Sequence, residues 1–494
     1  MFRSRRYLGL ALLAATALGL RLAVVASVAQ ASRGDFAYEH GEIAENLLAG
    51  RGFSVKFLGV EGPTSQQAPL YPALLAACYR AFGAGSPRAL LAMQVLQCVA
   101  GAGLALAVAR LAWSLVPDRS TTGWVAGWGA AVYPTHVYMV THIQVALWAA
   151  LCLTLLLALV ASPQWINPWR KAALAGVLAG VLLLIEPILA LALPFAAWMF
   201  WHSDRSLPQK LPLPLGEGEF AARIGRQFLL AAVAAAVIAP WLWRNYQVHG
   251  EPVFVKSTFG YAFWQGNNPA SWGTDKIPKR SAEFLRTRHD GSLAEMHRAL
   301  WEARHETLYI DDVLLAPGGY REFAGLSEPE RSRLLFSRAC DFVRYQSGRY
   351  LRLCARRLRY FLLFDETNPK TAHRVYRIAT VVWLTLAGIG SLALRSQWRR
   401  LWPTWAMFGV VAAFHTLTIV SARFRIPLEP ISFVWAAGAV APLGDRLIVA
   451  PWSRWREARA VNVDLGPLPH PILQGPHRRA ASSRERAANR RSAA

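Results

Sequence analysis

Ten apolar stretches, most of them near the length needed to cross a bilayer and some short, dominate the sequence. A hydrocarbon core of about 30 Å needs roughly 20 apolar residues in a helix. Runs of this kind occupy residues 7–29, 87–113, 122–138, 143–161, 171–185, 187–201, 226–246, 376–394, 401–420 and 427–448. The expected fold is all-α, a polytopic membrane helix bundle of about ten or more spans.

Composition agrees with this. Of 494 residues, 54% are apolar or aromatic and only 17% are charged, against about 25% charged in soluble domains. Such an apolar fraction excludes a disordered chain. Length and five scattered cysteines exclude a small disulfide scaffold. Twenty tryptophans suit aromatic girdles at the bilayer edges. Cys340 and Cys354 fall in a segment where a bridge is chemically allowed. On one continuous helix they would stand about 20 Å apart, beyond the reach of about 7 Å, so free thiols are expected.

The 54 Lys and Arg against 30 Asp and Glu give a net charge of +24. In a membrane chain this excess belongs on cytoplasmic loops facing anionic lipid, and no nucleic-acid partner is expected. With the N-terminus inside, the inner loops hold Arg119, Arg170, Lys171, Arg205, Lys210, Arg223, Arg226, Arg395, Arg399 and Arg400. The turns at 136–142 and 186–187 hold no Lys or Arg. The expected location is the inner (plasma) membrane with both termini cytoplasmic. The end of the first run, SVAQA, also resembles a signal-peptidase site, but the run is long for that role and carries Arg21.

The expected organisation has four parts. Residues 1–248 form the membrane core, with a first outer loop at 32–67. Residues 68–83, opened by Pro69 and Pro72, are too short to span and read as an interfacial helix. Residues 249–374 form a large helical segment on the outer (periplasmic) face, 375–450 the C-terminal spans, and 451–494 an Arg-rich cytoplasmic tail. The linker at 203–225, with its LPLPLGEGE, reads as disordered.

The first outer loop reads GDFAYEHGEIAENLLAGRGFS. Apolar Ile43, Ala44, Leu47 and Leu48 mark a helix that Gly50 and Gly52 end. Asp35, Glu39 and Glu42, spaced i, i+4, i+7, share one face of it. Acids there also suit a helix N-terminus. At a membrane surface, however, a carboxylate can serve as base to a hydroxyl held within hydrogen-bond reach.

Three blocks, far apart but in order, resemble the glycosyltransferase-C class, the bacterial relatives of protein O-mannosyltransferases and aminoarabinose transferases. The first runs from LRLAVV through the acids and ENLLAGRGFS to GPTSQQAPLYPALLAACYRAFG. The second is PWLWRNYQVHGEPVFVKSTFGYAFWQGNNP and the third ARFRIPLEP. The chain departs from the pattern in lacking an adjacent Asp-Glu pair and in carrying Gln144 where many relatives have an acid. The resemblance implies a hexosyltransferase that moves a sugar from a polyprenyl-phosphate donor to an acceptor hydroxyl on a protein, lipid or glycan at the outer face. A carboxylate, Asp35 or Glu39, would deprotonate the acceptor, and attack would invert the anomeric carbon. Some members of the class use a divalent metal ion beside the acid; no ligand spacing in this chain argues for one, and no other cofactor is implied.

The departing lipid phosphate needs cationic donors already in place, a task that suits arginine. Arg244, in WLWRN, is one candidate, though Trp241 and Trp243 also fit an interfacial anchor. Arg423 and Arg425 occupy a short outer turn, against the inside bias. Lys56 follows the acidic helix. Glu42, Asn267 and Asn268 are candidate substrate contacts, the asparagines also being turn formers. Arg21, inside a span, must pair or reach water, an acid of the first loop being one partner. Glu186 is a spare outer acid. His136 and His142 are not spaced as a metal pair, and His415 reads as a buried neutral histidine. Trp264 and Trp272 suit either a sugar or lipid headgroups. Two other functions fit a polytopic chain: a flippase or transporter of lipid-linked precursors, and a catalytically silent subunit of an envelope complex. A transporter should carry polar residues at mid-bilayer in two matched halves, whereas this chain gathers its acids and arginines at one surface.

Overall fold

All ten apolar stretches are helical in the computed structural model, which describes residues 2–29, 37–163, 167–203, 217–278, 291–305 and 307–446. Five helices among them are long and apolar enough to cross a membrane: α1 (Phe2–Val28), α4 (Pro87–Leu115), α8 (Pro168–Ile185), α10 (Glu217–His249) and α16 (Arg374–Ala393). The other stretches are shorter or interrupted. The run at 122–138 breaks into α5 (Ser120–Val132) and α6 (Pro134–Tyr138), because a proline offers no amide to continue the ladder and pushes the preceding residue out of the helical region. Tyr133 accordingly has an extended ψ of 118°. Residues 187–201 begin as a 3₁₀ turn and continue as α9 (Leu193–His202). Stretch 143–161 gives α7 (Ala146–Ala161), and the last two give α17 (Trp398–Leu417) and α18 (Glu429–Gly444).

Small residues let these helices approach closely, as membrane bundles require. A Cβ on Gly176 would meet the Leu230 carbonyl at 2.6 Å, and one on Gly180 the Val237 side chain at 2.6 Å. This single face of α8 seats α10. At Gly390 of α16 the Trp435 backbone of α18 leaves no space for a Cβ. Arg21, 0% exposed, is paired differently from the acid expected: Nη1 donates to the carbonyls of Ala17 (2.9 Å) and Ala131 (3.0 Å), and Nη2 to that of Ala130 (3.2 Å). The last two close α5, so the cation meets the negative end of a helix.

Met1–Leu443 form one compact unit, so the segment 249–374 is not a separate body. The second unit, Gly444–Ala494, is described only to residue 446, and the expected basic tail lies outside the described residues. So does most of the expected disordered linker, although residues 217–225 belong to α10 rather than to a linker.

The loops gather at one end of the bundle, the loop face. They hold α2 (Tyr38–Leu48), strands β1 (Ser54–Phe57) and β2 (Val60–Pro63), α3 (Leu70–Phe82) and α11 (Phe259–Gly266). A second strand pair, β3 (Lys276–Ile277) and β4 (Leu308–Tyr309), brackets α12 (Leu293–His305) and leads into α13 (Ile310–Leu314). Helices α14 (Glu328–Tyr345) and α15 (Ser347–Leu362) follow. The two short antiparallel pairs are minor additions to a fold that is otherwise helical, consistent with the all-α expectation. In the first, Leu58 (φ 50°) and Gly59 (φ 78°) both sit in the left-handed region, the geometry that closes a two-residue hairpin. Four-residue strands are too short to announce themselves by alternation. Helix α14 starts in a capping box, with Ser327 N donating to Glu330 at 2.7 Å. Cys340 and Cys354 fall on two successive helices, and both are free thiols, as expected.

Candidate functional site

Helix α2 divides its residues cleanly. His40, Ile43, Ala44 and Asn46 are buried, while Glu39, Glu42 and Glu45 line the exposed face. Asp35 lies outside the described residues. The Lys56 amide donates to Glu42 at 2.7 Å, and the Asn46 amide group to the Ser54 carbonyl at 2.8 Å. Helix and hairpin are thereby locked together, and Glu42 is occupied with this link. Glu39 makes no hydrogen bond with another described residue.

A second acid stands across from α2 on a segment that sequence spacing did not single out. Asp311 opens α13 and accepts hydrogen bonds from the Tyr261 hydroxyl and, at 3.1 Å, from Gln265. Gln265 also donates to the Tyr261 oxygen at 2.8 Å. Burial pushes the Asp311 carboxyl up to about 6, although both hydrogen bonds pull the other way. Burial also raises the Tyr261 phenol, and so do Asp311, Glu39 and Asp275. Carboxylates from three segments thus lie within electrostatic reach of one phenol.

Asp275 belongs to the same neighbourhood. Its carbonyl accepts from Ile310 N at 3.0 Å, and its carboxyl pairs with Lys276 at 2.9 Å. Burial opposes its charge, but Lys276 and Arg423 overcome this and hold it below the usual range. Lys276 is correspondingly raised: burial lowers it, and Asp275 and Asp365 more than compensate. The buried His40 ring is pushed down to about 3 by burial, Lys256 and Arg423, so it stays neutral. Lys256 pairs with Glu186 at 3.2 Å, which places the spare acid beside this cluster.

The basic candidates separate into two kinds. Arg423 is exposed, lies over the Phe424 ring at 5.6 Å, and its guanidinium makes no hydrogen bond or ion pair with another described residue. Lys56 is also exposed. Arg244 is half-buried: it donates to the carbonyls of Thr64 (2.6 Å) and Phe53 (2.9 Å) and clamps the hairpin. Arg425 is 2% exposed and faces inward. Its Nε donates to Glu429 at 2.8 Å and its Nη1 to the Leu362 carbonyl at 2.6 Å, while Glu429 also meets His136 at 2.9 Å. Arg244 is thus half-buried and Arg425 buried, both bonded to groups of the protein.

Asn267 and Asn268 are likewise committed to the protein. Asn267 donates to the Phe263 carbonyl at 2.8 Å and accepts from Arg357 at 3.0 Å. Asn268 donates to the Trp264 carbonyl at 2.8 Å and accepts from Ala270 N at 2.8 Å. Both are buried, so they build the turn and offer no free group to substrate. Trp264 is core; Trp272 is half-exposed under Arg356. His415 bonds the Ile419 carbonyl at 3.1 Å inside an aromatic stack. Among the described residues no three His, Cys, Asp or Glu side chains are grouped to hold a metal ion. Asp311, Tyr261, Gln265 and Asp275 went unnoticed in the sequence because their partners lie on other segments.

No protein-family model matches the chain, and no curated protein sequence does. Solved structures do resemble it. The archaeal oligosaccharyltransferase AglB from Archaeoglobus fulgidus, in complex with an inhibitory peptide and a dolichol-phosphate, aligns with a TM-score of 0.51 at 13% identity, over 95% of this chain and 53% of its own. The apo form of the Archaeoglobus fulgidus oligosaccharyltransferase gives 0.50 at 12%, over 92% and 54%. ArnT from Cupriavidus metallidurans bound to undecaprenyl phosphate gives 0.36 at 15%, over 89% and 79%, and no argument rests on it. These neighbours are glycosyltransferases of the C class, the class that the three sequence blocks resemble. At such identity the likeness is one of fold alone, and the chain spans about half the length of the oligosaccharyltransferase it matches.

Proposed function

We propose that the chain is an integral-membrane glycosyltransferase that moves a sugar from a polyprenyl-phosphate donor to an acceptor hydroxyl at the loop face. One observation carries this reading. In a fold shared with an oligosaccharyltransferase, Asp311 binds the Tyr261 hydroxyl, Glu39 and Asp275 from two other segments lie within electrostatic reach of that phenol, and the exposed guanidinium of Arg423 acts on Asp275.

The chemistry follows from that arrangement. A carboxylate of the first loop, Glu39 or Asp35, takes the acceptor proton as the acceptor oxygen bonds to the anomeric carbon. The bond from that carbon to the phosphate oxygen breaks on the opposite side, which inverts the centre. Asp311, fixed by Tyr261 and Gln265, orients the acceptor hydroxyl. Arg423 and Lys56 receive the charge that grows on the departing polyprenyl phosphate. Arg244 positions the hairpin that carries Lys56, and Arg425 anchors the turn that carries Arg423. The prenyl chain lies among the apolar helices, with membrane lipid around it. In this reading all ten apolar helical stretches are spans of the plasma membrane, the termini are cytoplasmic and the loop face is outside.

The test is turnover in reconstituted vesicles with a panel of polyprenyl-phosphate sugars and protein, lipid and glycan acceptors. Wild type should release polyprenyl phosphate. Glu39→Gln or Asp35→Asn should abolish release, and Arg423→Gln should slow it. Release that survives both acid substitutions would refute the site. No release from folded protein with any donor would refute the activity.

A further inference from the structure

Helix α15 carries a surface that the proposed reaction does not use. Between Asp341 and Asp365 the chain holds six arginines and no acid. One face of α15 is packed inward through Leu353, Cys354, Arg357, Tyr360 and Phe361. The other face exposes Leu351 (66%) and Leu358 (43%) with Arg352 and Arg359 beside them, and Tyr345 (75%) extends it. Arg359 pairs with Glu366 at 2.8 Å. The guanidinium groups of Arg344 and Arg352 form no hydrogen bond or ion pair with another described residue. A surface turned only to water gains nothing from leucine and tyrosine set among arginines. A helix lying in a lipid headgroup layer does, because apolar side chains enter the acyl boundary while arginine stems reach the phosphates.

The position of α15 fits that layer. The Tyr350 hydroxyl donates to the Leu417 carbonyl at the end of α17 at 3.1 Å, and Phe361 stacks on His415 of the same helix. Shortly beyond α15 the chain enters α16, one of the long apolar helices.

We propose that the exposed stripe of α15 lies on the membrane surface and binds anionic phospholipid headgroups of the adjoining leaflet. Bidentate guanidinium–phosphate contacts are the recognition chemistry. The buried face of the same helix passes the constraint inward. Arg357, 0% exposed, donates to Asn267 at 3.0 Å and to the carbonyls of Gly266 (3.1 Å) and Thr418. Arg349 donates to the Pro269 carbonyl. A headgroup-bound α15 therefore holds both the 266–269 turn and the segment that leads to Arg423. The inference does not depend on the glycosyltransferase reading.

The experiment uses the full chain in nanodiscs of phosphatidylcholine, with or without phosphatidylglycerol. A spin label on Ala355→Cys, in a Cys340→Ser background, reports depth on the exposed face. Spin-labelled phosphatidylglycerol and phosphatidylcholine report lipid preference. The expected result is a label at headgroup depth and a preference for phosphatidylglycerol that falls about fivefold for each of Arg344→Gln and Arg352→Gln. A label as open to water as one at exposed Glu61→Cys would overturn the proposal. So would a preference unchanged in the double variant, or a shielded label with no preference, which would point to a protein partner.

Discussion

Asp311 carries a conflict that thermodynamics can read. Its carboxyl titrates at about 6 in the folded protein instead of 3.8, because burial outweighs the hydrogen bonds from Tyr261 and Gln265. A folded value above the unfolded one means that the folded chain binds the proton more tightly. The stabilising contribution is full below about pH 4 and is lost as pH rises through about 6. At about 1.4 kcal/mol for each tenfold change in proton affinity, a carboxyl pushed up to about 6 makes its charged form cost roughly 3 kcal/mol above about pH 7. Asp311→Asn removes the charge and keeps an acceptor for Tyr261, but it turns an amide donor toward Gln265, a loss of about 1 kcal/mol. The variant should therefore be about 1–2 kcal/mol more stable than wild type at about pH 8 and about 1 kcal/mol less stable at about pH 4. Denaturant titration of detergent-solubilised protein, followed by tryptophan fluorescence, reads this directly. Turnover should fall at the same time, since the acceptor loses its orienting carboxylate. Equal destabilisation at both pH values would refute the reasoning, because it would mean that the buried carboxylate is not strained.

Other substitutions probe the scaffold. Glu429→Gln leaves Arg425 buried without its counter-charge and alters the partner of His136, and should cost about 3–5 kcal/mol; a melting temperature equal to wild type would contradict the network. Gly180→Leu drives a Cβ to within 2.6 Å of Val237, so it should lower the melting temperature through a misfit between α8 and α10 of about 1–3 kcal/mol. Arg244→Ala frees the Phe53 and Thr64 carbonyls, and limited proteolysis should then cut faster within residues 51–67 while the bundle stays resistant.

Much of the bundle was legible because apolar length is a local property. The break at Pro134 was equally local and shows that a run of apolar residues need not be one helix. In the acid helix, the exposed line of Glu39 and Glu42 and its glycine-closed end follow from spacing. The far wall was not legible. Tyr261, Asp275 and Asp311 meet only through tertiary packing, and nothing in the spacing of a lone aspartate announces a buried carboxyl. The two arginines of the ARFRIPLEP block look alike in sequence, yet Arg423 is exposed and Arg425 is buried. One signal did separate them: Arg425 stands four residues before Glu429, the spacing of a helical ion pair. Asn267 and Asn268 misled because turn-forming amides and substrate-binding amides are the same chemistry, distinguished only by Arg357 arriving from α15.

The most direct measurement is the anomeric configuration of the transferred sugar. Wild type in vesicles would be given a polyprenyl-phosphate donor of known configuration, and the isolated product would be assigned by NMR. The account predicts a product of the opposite configuration, as one displacement assisted by a first-loop carboxylate requires. A product of retained configuration would contradict that displacement, and the absence of any product across the donor panel would contradict the proposed function itself.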